Sequence, residues 1–373
     1  MFTNRVLIGY FVVLLPPIVL VAGIQAGYPW ATFVLFVAAS PITRFIFGTY
    51  RSHALRVSER AASVLFALPS MYLCVLALCV PIAAIQLGNA KVTGDLGLAG
   101  FAFSLWTVMM FGTFPAHEML HRRSKAAALA GSAVAGICGY PILGLEHSVH
   151  HARPGDTHHP EWARVTESVW HFARRRMIES IKVAVDGDHA MRASGVWPAF
   201  VRPLPVGVLA MVVTASVFFV ASGLQGFVVY SCAAVAVCFS MQVMTYVQHW
   251  GLGEDSIRDA SARELAWEDD CLMQAWITMN NSFHMAHHRA AEVPYFFVQP
   301  SPNAPRQPGC YVVMLHACLI PAVWRRLMLP VLDAFANGRS SVCDPGRRVL
   351  CITPSRRLPD SSPTRPVDTE TTP

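Results

Sequence analysis

Six long apolar runs punctuate the chain, at 6–26, 30–48, 61–87, 96–115, 204–224 and 227–247. Each holds roughly the 20 apolar residues a helix needs to cross about 30 Å of hydrocarbon. Minimal polar breaks within the first and last pairs predict two tight helical hairpins. The first run follows a lone Arg5, and its apolar core is longer than the roughly 7 to 15 residues of a signal peptide, so a retained span is expected.

Between the runs the polarity is uneven. Arg51, Arg56 and Arg60 lie in one connector, and Arg122, Arg123, Lys125, Arg153, Arg164, Arg174, Arg175 and Arg176 follow the fourth run, whereas 89–95 carries almost no positive charge. The positive-inside bias therefore puts both termini and the large polar segments on the cytoplasmic side. Residues 126–145 are apolar but built of Ala and Gly more than Leu and Phe. A single crossing there would separate the polar groups that flank it, so the expectation is a helix lying at, or dipping into, the cytoplasmic interface. Residues 312–331 are interrupted by His316, Pro321, Arg325 and Arg326 and read as an interfacial amphipathic piece. A polar helix is expected over 167–184, and 337–373, rich in Ser, Thr, Pro and Arg, reads as a disordered tail. The expected architecture is an all-α integral membrane protein of about six transmembrane helices, one domain over 1–336 with a cytoplasmic cap made from two inserted regions.

Composition agrees: 54% hydrophobic residues, 14% charged and a mean hydropathy of +0.41 exclude an ordinary soluble globule. The net charge of +6 reads as topology, and no aromatic-plus-basic nucleic-acid module is visible. Ten scattered cysteines have no C-x-x-C spacing, so they read as small buried hydrophobes and the chain carries no cysteine-ligated electron carrier.

Fifteen histidines are many for so apolar a chain, and ionisable groups are costly in hydrocarbon, so their clustering is informative. His117 and His121 stand one helical turn apart at the end of the fourth run. His147, His150 and His151 form an H-x-x-H-H pattern, repeated as His284, His287 and His288. At i, i+3 and i+4 three nitrogens can face a common point. Eight patterned imidazoles are too many for one ion and suit two; imidazole alone does not choose among iron, copper, nickel and zinc. His53, His171, His189 and His316 are isolated and read as ordinary polar residues, while His158 and His159, close after the second box, stay open between ligand, support and loop. Glu146, Asp156, Glu161 and Glu167 are candidates to orient ligand imidazoles through their second nitrogens.

In sequence order, these motifs resemble those of the bacterial membrane-bound alkane 1-monooxygenases, within the membrane di-iron hydroxylases and desaturases. The first box is seen as His117-Glu118-Met119-Leu120-His121-Arg122 and the second as Glu146-His147-Ser148-Val149-His150-His151. Ala163 to Trp170 echoes the Arg-x-x-Glu-Ser segment, and Tyr246-Val247-Gln248-His249-Trp250-Gly251-Leu252 looks like the Glu-His-Tyr-Gly-Leu element. Asn281 to His288 is similar to the third box, and Ala304 to Tyr311 and Pro321 to Met328 to two downstream segments. The resemblance implies a di-iron centre of two non-haem Fe ions, O2 as co-substrate, oxygen insertion into an unactivated C–H bond, and electrons from a rubredoxin- or ferredoxin-type carrier with its reductase. It also implies His249 as a ninth ligand. The second box is one residue shorter than in the alkane enzymes, and Gln248 and Trp250 stand where they have Glu and Tyr, which leaves the apolar substrate open. A lipid desaturase fits the same boxes. An intramembrane zinc protease would need only His117, His121 and one further ligand, with Glu118 as base.

Overall fold

The computed structural model describes residues 5–50, 57–89, 91–152, 162–198, 201–253, 266–302 and 304–337, together with Leu350. Among these there is no strand, only isolated bridges at Thr49 and Cys271, Glu268 and Arg306, and Gly309 and Leu350. Most of the expected tail, 338–349 and 351–373, lies outside the described residues.

α1 (Val6–Gln25) tightens to a 3-10 turn over Tyr10–Leu14, just before Pro16 and Pro17, because neither proline has an N–H to continue the i→i−4 ladder. The second helix, α2, covers 31–47 and widens to a π-turn at Val34–Ala38 ahead of Pro41 for the same reason. α3 (Glu59–Gly88) starts at Ser58, whose hydroxyl accepts the Ala61 N–H, and α4 (Gly94–Leu120) ends in the first histidine box. α8 (Pro203–His249) contains the last two apolar runs. Four helices, α1, α3, α4 and α8, are long and apolar enough to cross a membrane.

α8 is not straight. Gly223 takes φ 62° and ψ −155°, and the chain folds back there. Phe218 and Tyr230 stack with ring centroids 5.4 Å apart, although twelve helical residues would separate them by about 18 Å. Gly207 and Tyr230 likewise both meet Gly136.

Between α4 and α8 the chain dips inward. α5 (Lys125–Ile137) packs Gly131 against the Ala116 carbonyl and Gly136 against the Gly207 carbonyl. Its 13 residues reach only about 20 Å, short of the hydrocarbon thickness. Gly139, at φ +75°, then reverses the chain; a Cβ there would meet Ala234 at 2.4 Å, so only glycine fits. α6 (Leu143–Ala152) climbs back beside Leu120, against which Gly144 packs. His121 and His147 therefore share one end of the molecule, as the dipping reading of 126–145 requires. α7 (Val169–Ala193) is the expected polar helix, capped by Ser168.

The remaining chain forms a cap: α9 (Leu272–Ile277), α10 (His284–Arg289), α11 (Tyr311–Ala317) and α12 (Pro321–Ala336). α12 is amphipathic, burying Trp324 and Met328 and exposing Arg325 and Arg326. One ion pair fastens the cap to the helices below. Arg44, on α2, is fully buried and meets Asp269 at 2.5 Å and Asp270 at 2.6 Å. The Asp269 carboxylate also accepts the Cys271 and Tyr311 backbone N–H groups. Breaking such a pair strands a buried charge. Arg44→Met is accordingly expected to destabilise the detergent-solubilised protein by about 3–5 kcal/mol; equal melting temperatures for Arg44→Met and wild type would contradict this.

Candidate metal centre

Four elements bring nine imidazoles together. His117 closes the last turn of α4 and His121 follows it; His147, His150 and His151 lie on α6; His249 ends α8; His284, His287 and His288 lie on α10. They sort into two groups, His117, His121, His147, His151 and His287 in one, and His150, His249, His284 and His288 in the other, with donor atoms inside each group within 4.8 Å of one another. This corrects the expectation that each H-x-x-H-H triple faces one point. The i and i+4 rings of each triple share a group and the i+3 ring goes to the other, because i+3 and i+4 are about 100° apart around a helix. The second and third boxes thus each serve both groups, while His117 and His121 of the first box both serve the first.

The nitrogens converge more closely than hydrogen bonding explains. Nε2 of His147 lies 2.7 Å from that of His117, 2.9 Å from that of His121 and 2.9 Å from that of His151. One ring nitrogen either donates once or accepts, so no choice of tautomers satisfies three such approaches. His151 and His287 approach to 3.0 Å, and in the second group His150 and His249, and His284 and His288, each to 3.1 Å. Donors about 2.1 Å from a common cation and at right angles would lie about 3 Å apart, so the arrangement fits two first-row metal ions. The protonation state agrees. Burial, reinforced by neighbouring imidazoles, holds His147, His284, His287 and His288 well below the usual histidine range and brings His151 down to about 3, leaving lone pairs free for a metal.

The surroundings were less legible. Asn281 Oδ1 lies 3.2 Å from His284 Nδ1 and fixes that ring so its Nε2 faces the group. Trp162 is fully buried with its ring centroid 4.1 Å from that of His249. Ahead of the third box, Met279 and Asn280 take φ values of 51° and 60°, and the Asn280 amide is held by Tyr10 Oη at 2.7 Å and the Tyr295 carbonyl at 2.8 Å. Glu268 accepts the Ser301 N–H and the Arg306 guanidinium, and burial pushes its carboxyl up to about 7. These contacts aim α10; apart from Asn281, three residues before His284, none has a local sequence signature, since each joins residues distant in the chain or depends on a turn.

Glu146 lies beside the histidines and pairs with buried Arg176 at 2.7 Å; Arg176 in turn reaches Gln242. Arg176 is thus buried, unlike exposed Arg123 and Arg174. Glu167 meets His171 and Arg175, and not one of the nine. Burial opposes its charge, but the Arg175 guanidinium outweighs burial and holds the carboxyl below its usual range. Asp156, Glu161, His158, His159 and His53 lie outside the described residues. His171, His189 and His316 stand apart from both groups, the last bonded to the Val312 carbonyl.

Two cavities meet here. One of about 20 Å³, room for about one water-sized molecule, touches His117 and His147 of the first group and His150 and His284 of the second. The other, about 400 Å³, is lined almost wholly by apolar side chains from α4, the second arm of α8 and α11.

The fatty acid desaturase family model matches residues 96–299, which contain all nine histidines. The chain belongs to this family. Within it, the chain is 25% identical over 262 residues to alkane 1-monooxygenase 1 of Pseudomonas aeruginosa, a match covering 66% of each chain. It is 20% identical over 332 residues to alkane 1-monooxygenase 2 of Alcanivorax borkumensis, covering 85% of this chain and 86% of the relative. An alkane 1-monooxygenase of Acinetobacter baylyi is 20% identical over 254 residues, covering 66% and 62%. The resemblance read from the motifs is borne out.

If the two groups hold separate ions, His121→Ala and His288→Ala should each lower the metal content of purified protein from about two ions per chain towards about one, while His316→Ala leaves it unchanged. Element analysis of the three variants tests this; loss of all metal from both ligand variants would mean one indivisible site.

Proposed function

We propose that this chain is a di-iron, O2-dependent monooxygenase of an apolar substrate, hydroxylating an unactivated C–H bond of an alkane or alkyl chain. The observation that carries the reading is the partition of nine imidazoles into two groups that share a small cavity next to a large apolar chamber. The ligand set we assign is His117, His121, His147, His151 and His287 for one iron and His150, His249, His284 and His288 for the other. Nitrogen-only donors admit other first-row metals by chemistry; the alkane 1-monooxygenases it resembles favour iron. Once bound, the metal pair supplies the redox chemistry by which dioxygen, two electrons and two protons convert R–H to R–OH and water.

The protein's own part is positioning and exclusion. Burial disfavours the protonated form of His147, His151, His284, His287 and His288, so that acid competes poorly for their lone pairs. Asn281 holds the His284 ring in one tautomer. The apolar chamber takes up a substrate that partitions into the bilayer, while electrons arrive from water. The donor we assign is a rubredoxin- or ferredoxin-type carrier with its reductase, on the side where the histidines lie, which by the arginine bias is the cytoplasmic face of a bacterial inner membrane. On this reading α2 and the two arms of α8 complete six crossings, within a membrane domain reaching to about residue 336.

The test is oxygen uptake and product analysis with purified, reconstituted protein and a reducing system, against n-alkanes, alkylaromatics, terpenes and fatty acids. Alcohols with about two irons per chain are expected. Alkenes would make it a desaturase, and zinc in place of iron would overturn both. Glu118→Gln is expected to stay active, whereas a zinc protease would lose its base.

A further inference from the structure

The apolar chamber and the small histidine-lined cavity have two lining residues in common, Phe114 and Met244. Both are buried, at 4% and 6% exposure. Phe114 precedes His117 by three residues on α4, and Met244 precedes Gln248 by four on α8, so each stands on the helix face that also supplies a wall of the small cavity. The chamber is bordered by Phe103 and Cys232, exposed on the flanks of α4 and α8. It thus opens sideways, where two apolar helices would meet lipid. The size contrast is large: about 400 Å³ on the lipid side against about 20 Å³ at the histidines. A methyl group is close to water in size; a ring or a branch point is not.

We propose that Phe114 and Met244 form a partition that determines specificity, admitting to the histidines only the unbranched end of a hydrocarbon chain that lies in the chamber. This rests on the hydroxylase reading and adds which side chains of this chain decide how far a substrate reaches towards the histidines. The terminal C–H bond is broken and a C–O bond formed; one oxygen atom of O2 stays in the alcohol and the other leaves as water, with both electrons from the external carrier and both protons from solvent. The flexible Met244 thioether yields to a thin chain end, while the Phe114 ring walls off the carbons behind it.

The experiment uses an n-alkane with a terminal diazirine, photolysed in full-length, metal-free protein, with labelled residues located by mass spectrometry. In wild type the label is expected around 110–114 and 243–244. In Met244→Ala it should advance to Gln248 and Asn281, and in Met244→Phe it should withdraw towards Phe103 and Ala236. Melting temperature and gel filtration establish that both variants fold. In metal-loaded protein, Met244→Ala should raise the ratio of subterminal to terminal alcohol roughly tenfold, the discrimination one methylene-sized difference commonly provides. An unchanged label position and product ratio in both variants would overturn the partition. If the label moves as expected but no variant makes alcohol, the partition stands and the hydroxylase reading fails.

Discussion

Everything in this protein answers to one electrostatic problem: nine imidazoles must be packed together, out of water, with their lone pairs pointing inward. Each ring prefers hydration, and protonated neighbours would repel one another at about 3 Å, as do lone pairs that face each other. A shared cation would relieve this, so the surrounding structure has to hold the nitrogens in place. Membrane-type helices suit that task. α4 and α8 deliver His117 and His249 from rigid, apolar bodies, so these two imidazoles are placed by whole-helix packing and not by a loop.

The third box has no such support from its own element. α10 is six residues long, too short to hold itself, and its direction is imposed from outside. Arg44 fixes Asp269 and Asp270 from below, Glu268 gathers the loop at Ser301 and Arg306, and Asn280 is clamped to Tyr10 and Tyr295. α1 and α2 lie outside the stretch matched by the family model, yet Tyr10 and Arg44 make them part of the metal centre's scaffold. A buried ion pair is a poor source of net stability; its use here is to pin the cap in one register.

Most of the clustered histidines were legible because helical spacing leaves a local trace. His117 and His121, and the two H-x-x-H-H triples, follow from 3.6 residues per turn. His249 has no periodic partner and entered only through the family resemblance. The Ala- and Gly-rich composition of 126–145, with the need to keep His121 and His147 at one end, also anticipated a segment that dips and returns. What local pattern could not show was the split of each triple between two groups, because a helix's own spacing permits convergence on one point as readily as division between two.

The sequence by itself therefore determined the class of the protein, the apolar helices and, His249 apart, the histidines that gather into the two groups, all properties of local composition and period. Tertiary structure decided which histidine serves which group, that Arg176 is buried against Glu146 while Arg174 faces solvent, that Gly223 folds α8 back on itself, and that Phe114 and Met244 stand between the chamber and the histidines. These depend on the relative rotation and depth of helices distant in the chain. That rotation is set by close contacts such as Gly136 on Gly207, and no single segment encodes it.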